Sequence, residues 1–357
     1  MMAHETADIL VVGLGPAGSR AAAKAAGLGR SVIAVDRRRA AGHPVQCAEF
    51  VPAMIGQELR ELESVSQQRI RSMMTFVEDQ EPDIRDNFPG HIIDRAAFDR
   101  ALVELAREAG ADCRFGAQVN GFLEDHSAQL SDGSRIRARL IIGADGPRSV
   151  VGQSIDHVNT ELVETRQITV PLKVPHQATD IFLSAEIAGG YGWLFPKREV
   201  ANLGVGVRPT SKDRLKPLLD GLRHHLIEQG RIGTQILNHT GGPIPVGGML
   251  RLKGTKGKVP ILLAGDAGGL ANPVTGAGIN SAVVSGGLAG QAASDWLAGK
   301  TDALDDYQEE MADLFKGALD RAVLRRQEIL RCYEAGSGPT AAMLRRGWIA
   351  YPEYWAA

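Results

Sequence analysis

Cysteine is scarce in this sequence. The 357 residues include only three cysteines, Cys47, Cys113 and Cys332, and none of them forms a CxxC pair. The missing pair argues against a dithiol relay within the chain. An odd, scattered set of cysteines is typical of a reducing compartment, so we expect a cytoplasmic protein.

Excess charge of either sign is also missing. The formal net charge is −2 at pH 7, which gives no electrostatic basis for binding nucleic acid. Residues 1–8 lack both a basic region and an apolar core, so no signal peptide is expected. The stretch from Ala267 to Ser294 carries no charge, but its proline, asparagines and many glycines favour a buried helix over a membrane-spanning one.

Motifs of several other enzyme classes are absent. The sequence contains neither the P-loop pattern GxxxxGK[ST] nor the hydrolase pattern GxSxG. The pair His224-His225 has no second ligand pair at metal-binding spacing, so no metal site is expected. These absences leave the glycine-rich segments as the main source of functional information.

The first glycine-rich segment has the order of a dinucleotide-binding unit. Residues 9–12 form a short apolar run that predicts a buried parallel strand. An alanine-rich helix is predicted from Pro16 to Leu28, and a second strand over residues 31–35 ends at Asp36. The acid lies about 20 residues after the glycines, where it can accept hydrogen bonds from a ribose. The glycines follow GxGxxG spacing: Gly13, Gly15 and Gly18.

Two later segments favour FAD over NAD as the dinucleotide. A predicted strand over residues 139–142 ends in the turn Gly143-Ala-Asp-Gly146, and a third strand near Leu262 runs into Gly265-Asp266. A carboxylate at Asp266 can receive hydrogen bonds from a ribitol, which FAD has and NAD lacks. The following segment, 272–280, opens a long helix whose first amides can face a reduced flavin.

Three further motifs resemble those of a known family. These are GHPVQCAE at 42–49, DRAAFD at 94–99, and YGWLFP at 191–196 with the trailing NLGVG at 202–206. Together with the glycine-rich segments, they resemble the geranylgeranyl reductases, which are flavoproteins with the p-hydroxybenzoate hydroxylase fold. The resemblance extends to about Gly290, and YGWLFP is its most specific motif.

The resemblance implies a set of site residues. FAD contacts are expected at Ala17, Asp36, Cys47, Ala48, Arg95, Val119, Asp266, Gly278 and Ile279. Asp145 and Gly146 are expected in a turn near both nucleotide and flavin, with Val119 in the strand after the Arg95 helix. Tyr191, Trp193 and Phe195 are expected to line a pocket over the flavin face. Phe50 replaces a glycine that is frequent in the family, and the C-terminal region is shorter; both departures argue against a long polyprenyl substrate.

The motif positions predict an α/β fold with a Rossmann-like FAD-binding domain of the p-hydroxybenzoate hydroxylase (GR2) type. We expect this domain to be discontinuous, over residues 1–70, 92–155 and 255–300. An inserted substrate domain of antiparallel strands is expected over 71–91 and 156–254, and a short helical region over 301–357. Strands are predicted at 167–174, 181–187, 191–195 and 201–207, followed by a helix at 213–229. Two helices are predicted within 304–334.

Candidate chemistry centres on Cys47. By resemblance this thiol lies beside the isoalloxazine, where it could donate a proton or hold a substrate covalently; the alternative is a small buried hydrophobe. Glu49 is either a proton relay or a salt-bridged loop carboxylate. The rings at 191, 193 and 195 alternate, so they share one strand face as a sheet core or as an apolar ligand wall.

Two functions from different classes remain, with a third less favoured by the pocket motif. The first is an FAD-dependent reductase of isoprenoid C=C bonds, and the second is a flavoprotein that delivers electrons to a protein partner, for example in lipoate assembly. The third is a flavin hydroxylase. NAD(P)H is expected as a transient donor, with ferredoxin as an alternative, because no second dinucleotide signature is present. The aromatic segment from Trp348 to Trp355 is expected to dock on its own domain or a dimer mate, or to contact a membrane surface or partner protein.

Overall fold

The computed structural model describes residues 4–53 and 62–356. Residues 1–3 of the N-terminal segment, and residues 54–61 within the expected nucleotide-binding part, lie outside these ranges, as does Ala357. Two large sheets and one small sheet organise the described chain, with helices packed on their faces. No helix within these ranges combines the length and the hydropathy needed to cross a membrane.

The first large sheet is mostly parallel and is covered by helices. Its strand order is Lys253–Lys256, Val259–Leu263, Arg135–Gly143, His4–Val12, Val32–Asp36 and Asp112–Phe115, with Ala128–Leu130 and Val119–Phe122 attached beside Arg135–Gly143. Ile9, Leu10 and Val11 are fully buried, as expected for a parallel strand with helices on both faces. The main helices of this layer are Pro16–Gly27, Arg95–Glu108 and Ile279–Leu297. The α/β architecture predicted from the sequence is confirmed.

One face of the second large sheet packs against a helix, and the other face borders a cavity. Its order is Asn238–Thr240, Leu162–Pro171, Val200–Val207, Gly192–Lys197, Ala178–Leu183, Ser72–Val77 and Asp83–Arg85, with Pro243–Pro245 beside Leu162–Pro171. The sheet is antiparallel except for one parallel pair, Ala178–Leu183 with Ser72–Val77. Leu194 packs with Leu219 of the helix Leu215–Glu228 on the outer face.

Two predicted strand ends in this sheet are wrong. The strand predicted at 167–174 ends at Pro171, and the one predicted at 181–187 ends at Leu183. The second error comes from Ile187, an apolar residue that is buried in a turn, whereas the first comes from Val174, an apolar residue that is exposed beyond the strand. The helix predicted at 213–229 spans Leu215–Glu228, after a 3₁₀ turn at Pro209–Arg214.

A small sheet and a helical C-terminal region complete the fold. The small sheet has the order Phe50–Pro52, Gly90–Ile93 and Ser66–Ile70. The two helices predicted within 304–334 span Ala303–Met311 and Gly317–Glu334, and a π-helical turn at Ala312–Lys316 joins them. The remaining short helices are Leu62–Val65, Val150–Gln153, Ala341–Arg346 and Pro352–Trp355, with a 3₁₀ turn at Gly265–Gly268.

Candidate cofactor and substrate site

The GxGxxG glycines form a close-packed turn at the start of the first helix. Gly13 has φ +98, and a Cβ there would lie 2.3 Å from the main-chain oxygen of Ala144. A Cβ on Gly18 would lie 1.7 Å from the oxygen of Gly13, so only glycine lets helix and strand approach this closely. Gly15 instead borders open space, with nothing nearer to its Cβ position than a guanidinium nitrogen of Arg38 at 3.9 Å. The free amides at this helix start can bind a pyrophosphate.

The acid at the end of the second strand is buried and already hydrogen-bonded. Asp36 accepts a bond from the amide of Leu14 at 2.8 Å and pairs with the guanidinium of Arg38 at 2.8 Å. Burial raises the pKa of Asp36, but the hydrogen bonds and positive charge of Arg38 outweigh it and hold the pKa below its usual range. The carboxylate is therefore ionised and fixed beside the glycine turn, where it can accept ribose hydroxyls with its remaining lone pairs.

A second helix N-terminus meets the first at a point made of small residues. A Cβ on Gly265 would lie 3.0 Å from the Cβ of Ala17. A Cβ on Gly286 would lie 2.0 Å from the main-chain oxygen of Ala17. The helix Ile279–Leu297 begins after Gly278 without a side-chain cap. The N-termini of both helices lack side-chain caps and border the same space. Their free amides and positive dipole ends would stabilise an anion there.

Asp266 lies at this junction, where it is partly buried and lines the cavity. A Cβ on Gly278 would lie 3.1 Å from its carboxylate oxygen. Burial raises the pKa of Asp266, and the positive charge of Arg95 lowers it in part. A buried carboxylate without a direct cation needs hydrogen-bond donors, which a polyol supplies.

The aspartate of the mid-chain turn has a different use. Asp145 accepts hydrogen bonds from the hydroxyl of Ser149 at 2.5 Å and from the amide of Val150 at 2.7 Å. Burial nevertheless raises the pKa of this carboxyl. Its side chain thus caps the helix Val150–Gln153, whereas Gly146 follows with φ +87. Both residues still line the cavity.

The segment that contains Cys47 is held by the second sheet. The carbonyl of Val45 accepts from the hydroxyl of Thr240 at 2.5 Å, and the side-chain Nε2 of Gln46 donates to the carbonyl of Gly241 at 2.7 Å. Gln167 donates to the carbonyl of Cys47 at 3.1 Å. Residues 45–49, the Cys47 loop, therefore take their position from the strands of the substrate side.

Glu49 anchors the end of the Cys47 loop. Its backbone has φ +70, an uncommon conformation for a residue with a side chain. The carboxylate, which is buried, pairs with Lys197 at 2.9 Å, accepts from Asn202 at 2.9 Å, and accepts from the amide of Arg95 at 3.1 Å. Of the two interpretations of Glu49, the structure supports the salt-bridged carboxylate.

A charged network connects the glycine turn to Cys47. Asp99 pairs with Arg95 at 2.7 Å and lies 3.8 Å from Arg38, which in turn pairs with Asp36. Burial alone would lower the pKa of Arg95, but Asp99 and Cys47 raise it above its usual value. Arg95 is thus held as a cation beside the thiol. The Cys47 Sγ also accepts from the amide of Glu49 at 3.2 Å.

The three rings of YGWLFP lie on the cavity side of the second sheet. Trp193 and Phe195 are on the strand Gly192–Lys197, and Tyr191 immediately precedes it. The indole of Trp193 packs over Gly204, where a Cβ would lie 2.2 Å from the ring, and donates to Gln167 at 3.0 Å. Burial raises the pKa of the Tyr191 hydroxyl. These rings form an apolar wall with two hydrogen-bonded edges.

Further aromatic residues, which sequence reasoning did not assign to the site, extend this wall. Trp348 of the C-terminal segment lies with its ring centroid 4.8 Å from that of Tyr191. Phe50 lies 5.6 Å from Phe88 and 5.9 Å from Phe195. Phe50 therefore belongs to the aromatic wall. The position of Trp348 had no local sequence signal, since it depends on the chain returning across the second sheet.

The aromatic C-terminal segment docks on its own chain. Trp348, Tyr351 and Tyr354 are buried, whereas Trp355 is 54% exposed. The Tyr351 hydroxyl donates to Asp83 at 2.6 Å, and burial together with Asp83 raises its pKa. Of the placements considered for this segment, intramolecular docking is the one that the structure shows.

A single cavity of about 600 Å³ brings the predicted residues together. It is lined by Gly13, Gly15, Ala17, Asp36, Cys47, Ala48, Arg95, Val119, Asp145, Gly146, Tyr191, Trp193, Phe195, Asp266, Gly278 and Ile279. Gly18 contributes helix packing instead of cavity surface. Val119 lies in the second strand after the Arg95 helix, not the first. The described residues contain no group of three or more His, Cys, Asp or Glu placed to hold a metal.

The donor set of this cavity fits FAD. Two helix starts and a glycine turn can bind the pyrophosphate, and Asp36 and Asp266 lie where ribose and ribitol hydroxyls need acceptors. A Cβ at Gly13, Gly18 or Gly286 would clash with neighbouring backbone. The close contact between strand and helices at this site therefore requires glycine. The aromatic residues line the same cavity as these cofactor residues.

Comparisons with known proteins agree with this assignment. An FAD binding domain family matches residues 67–215. The chain is 31% identical to the digeranylgeranylglycerophospholipid reductase of Methanosarcina acetivorans over 85% of this chain and 78% of that protein. It is 33% identical to digeranylgeranylglycerophospholipid reductase 2 of Methanopyrus kandleri over 87% and 85%.

Solved structures share the whole fold. A geranylgeranyl bacteriochlorophyll reductase-like protein from Thermoplasma acidophilum superposes with a TM-score of 0.82 at 24% identity, over 99% of this chain and 98% of that one. PqsL from Pseudomonas aeruginosa gives a TM-score of 0.72 at 19% identity, over 95% and 98%. At these identities the structural matches establish the fold alone.

Proposed function

The chain belongs to the geranylgeranyl reductase family of FAD-dependent oxidoreductases, and from this premise we propose that it reduces carbon–carbon double bonds of an isoprenoid. The observation that carries the proposal is the shared cavity, in which the cofactor residues and the aromatic wall are continuous. An enclosed apolar wall suits a hydrocarbon substrate, which needs contact area and few polar partners.

The polypeptide contributes binding, orientation and a proton. FAD, when bound, supplies the hydride and electron chemistry of this site. The glycine turn and the two helix starts would hold the pyrophosphate, while Asp36 and Asp266 would accept hydrogen bonds from ribose and ribitol hydroxyls. The rings of Tyr191, Trp193 and Phe195 orient an apolar chain and exclude water.

Cys47 is the proposed proton donor at Sγ. It is half-buried near the guanidinium of Arg95 and the hydroxyl of Tyr191, both of which interact with it electrostatically. The carbonyl of Cys47 is fixed by Gln167, and Gln167 also binds the indole of Trp193. The side-chain amide of Gln167 therefore fixes the position of the Cys47 loop relative to the ring of Trp193.

We further propose NAD(P)H as a transient donor and the cytoplasm as the location. All three cysteines are free in the structure, which supports a reducing compartment. Electron delivery to a protein partner is less well supported, because the docked C-terminal segment places Trp348 against Tyr191 in the apolar cavity wall.

The test is anaerobic stopped-flow spectroscopy of the holoenzyme. The flavin is reduced with NADH or NADPH and then mixed with a geranylgeranyl lipid, a protein acceptor or buffer. We expect rapid reoxidation by the lipid, with two hydrogens gained for each reduced double bond in mass spectrometry. Reoxidation by the protein acceptor alone would contradict the proposal.

A further inference from the structure

Two turns on the cofactor side leave the first sheet from neighbouring strands. Arg135–Gly143 and Val259–Leu263 pair in parallel, so their carboxyl ends lie side by side. Just beyond these ends, the amide of Ala264 donates to the carbonyl of Gly143 at 2.9 Å. One chain then enters the mid-chain turn, and the other enters the 3₁₀ turn that contains Asp266. The sheet therefore aligns the starts of the two turns.

The side chain of Asn159 connects the far parts of these turns. Its Nδ2 donates to the main-chain oxygen of Pro147 at 3.1 Å and to that of Asp266 at 2.9 Å. The Asp266 oxygen also accepts from the amide of Gly269 at 3.1 Å, which is the bond that closes the 3₁₀ turn. Asn159 therefore fixes the backbone of Asp266 relative to that of Pro147.

The mid-chain turn is a firm support for this contact. Asp145 accepts from the hydroxyl of Ser149 at 2.5 Å and from the amide of Val150 at 2.7 Å. Pro147 lies within the turn that these bonds close, and its ring restricts the backbone further. Its main-chain oxygen is thus a fixed acceptor, to which Asn159 attaches the second turn.

Asn159 itself lies behind the cavity wall. Pro147 and Asp266 line the cavity, whereas Asn159 does not belong to the lining formed by the described residues. It is on the segment between the two large sheets, three residues before the strand Leu162–Pro171. Any effect of Asn159 on a bound cofactor must therefore pass through the residues that it positions.

The two carbonyls determine the orientation of the Asn159 amide. Its Oδ1 is buried and, within residues 4–53 and 62–356, has no hydrogen-bond partner. Exchanging Oδ1 and Nδ2 would place one acceptor against two others and lose both bonds. The contribution of Asn159 therefore comes from its N–H groups. An ionised aspartate has the same shape but cannot donate.

We propose that Asn159 is a positioning residue for FAD, which holds the main chain of Asp266 so that the Asp266 carboxylate meets the ribitol. The carbonyl that Asn159 binds and the carboxylate belong to the same residue, so a shift of this backbone moves the acceptor. Hydrogen bonds weaken steeply when their distance or angle changes. The inference rests on the ribitol role of Asp266 and is independent of the isoprenoid substrate.

The adenine end of the cofactor lies outside the reach of this contact. Asp36 ends a strand that is separated from Val259–Leu263 by two other strands of the first sheet. Three strand spacings amount to roughly 14 Å. Loss of the Asn159 amide is therefore expected to affect the ribitol end of FAD and to spare the adenosine end.

The test is calorimetric titration of the full-length, flavin-free chain with FAD and with ADP. ADP has the adenosine and the pyrophosphate of FAD but no ribitol. N159A is expected to bind FAD at least about tenfold more weakly than wild type and to bind ADP with unchanged affinity. N159D, which keeps the side-chain shape without the donors, is expected to show the same pattern and serves as the test if N159A does not fold.

N238A and N238D are the matched controls. Asn238 is an exposed asparagine on the strand Asn238–Thr240, and it does not line the cavity. Both controls are expected to bind FAD and ADP as wild type does. D266A is the benchmark, because removal of the ribitol acceptor itself should also weaken FAD and spare ADP.

Each contrary outcome identifies the step that is wrong. Wild-type affinity for FAD in N159A or N159D would overturn the role of Asn159. Equal weakening of FAD and ADP in both variants would overturn it as well, since it would indicate a general role in folding. Weak FAD binding by N159A together with tight FAD binding by D266A would overturn the route through the Asp266 carboxylate. All three results would leave the isoprenoid function to its own test.

Discussion

The hydroxyl of Tyr191 donates a hydrogen bond to the main-chain oxygen of Thr275 at 2.6 Å. Tyr191 belongs to the aromatic wall of the second sheet, and Thr275 belongs to the loop that leads into the helix Ile279–Leu297. The loop is itself fixed by Asn272, whose side chain accepts from the amides of Val274 and Thr275 at 3.0 Å. The bond therefore joins the substrate side of the cavity to the cofactor side.

Replacing Asp266 with alanine is expected to abolish FAD binding and to leave the chain folded. Alanine removes the buried acceptor but also removes the cost of burying a charge, so the free energy of unfolding of the flavin-free protein should not fall. The measurement is the ratio of flavin absorbance to protein after purification with excess FAD. D220A, at an exposed site paired with Lys216, is the control, and stoichiometric FAD in D266A would rule out the ribitol role.

The same carboxyl predicts a pH dependence of stability in the flavin-free protein. Because burial raises the pKa of Asp266, its contribution to stability is fully present below the usual value of 3.8 and is lost as the pH rises through the folded pKa. Urea unfolding of wild type and D266N is the measurement. From about pH 4 upward, wild type is expected to lose stability relative to D266N; parallel curves would show that the carboxyl is not desolvated.

Cys47→Ser is expected to retain FAD and to slow flavin reoxidation by an isoprenoid by about 100-fold, since a hydroxyl is a much weaker proton donor than a thiol. The measurement is single-turnover stopped-flow absorbance. C113S is the matched control, because Cys113 lies on the outer strand Asp112–Phe115 and does not line the cavity. An unchanged rate in C47S would reduce Cys47 to a packing residue.

Gly286→Ala is expected to destabilise the fold and weaken FAD binding. Its Cβ would lie 2.0 Å from the main-chain oxygen of Ala17, so the helices Pro16–Gly27 and Ile279–Leu297 must separate, at a cost of about 1–3 kcal/mol. G287A is the control, because no atom lies within 4 Å of its Cβ position, and it is expected to stabilise by roughly 0.5–1 kcal/mol. Equal urea midpoints for the two variants would contradict the close helix contact.

Trp348→Ala is expected to destabilise the protein by about 3–5 kcal/mol and to raise KM for the isoprenoid, because it removes a buried ring of the cavity wall. W355A, at an exposed tryptophan, should change neither quantity appreciably. Urea unfolding and steady-state kinetics provide the two measurements. A loss of stability without any change in KM would place Trp348 outside the substrate path.

The sequence predicted the cofactor half of the site much better than the substrate half. The residues around Gly13, Asp36 and Asp266 are local motifs, in which a strand, a turn and a helix start follow one another in the chain. Spacing alone therefore specifies their geometry. Their convergence on one cavity followed from the parallel sheet.

The substrate half depends on contacts between distant segments. Trp348 reaches the cavity only because the C-terminal helices return across the second sheet, and no local pattern encodes that return. Phe50 lines the cavity as part of an aromatic cluster with Phe88 and Phe195, a contact between three separate segments. The strand ends at Pro171 and Leu183 were missed because apolar residues outside the strands, the exposed Val174 and the buried Ile187, continue the alternation of the strands.

The attachment of the Cys47 loop has a thermodynamic consequence. Side chains from four strands of the second sheet hold residues 45–49, through Thr240, Gln167, Asn202 and Lys197. A lipid that rearranges those strands must displace the loop as well, and vice versa. Binding of a substrate in one half of the cavity is consequently expected to change the affinity for the cofactor in the other half. Thermodynamic linkage requires the cofactor to change the affinity for the substrate by the same factor.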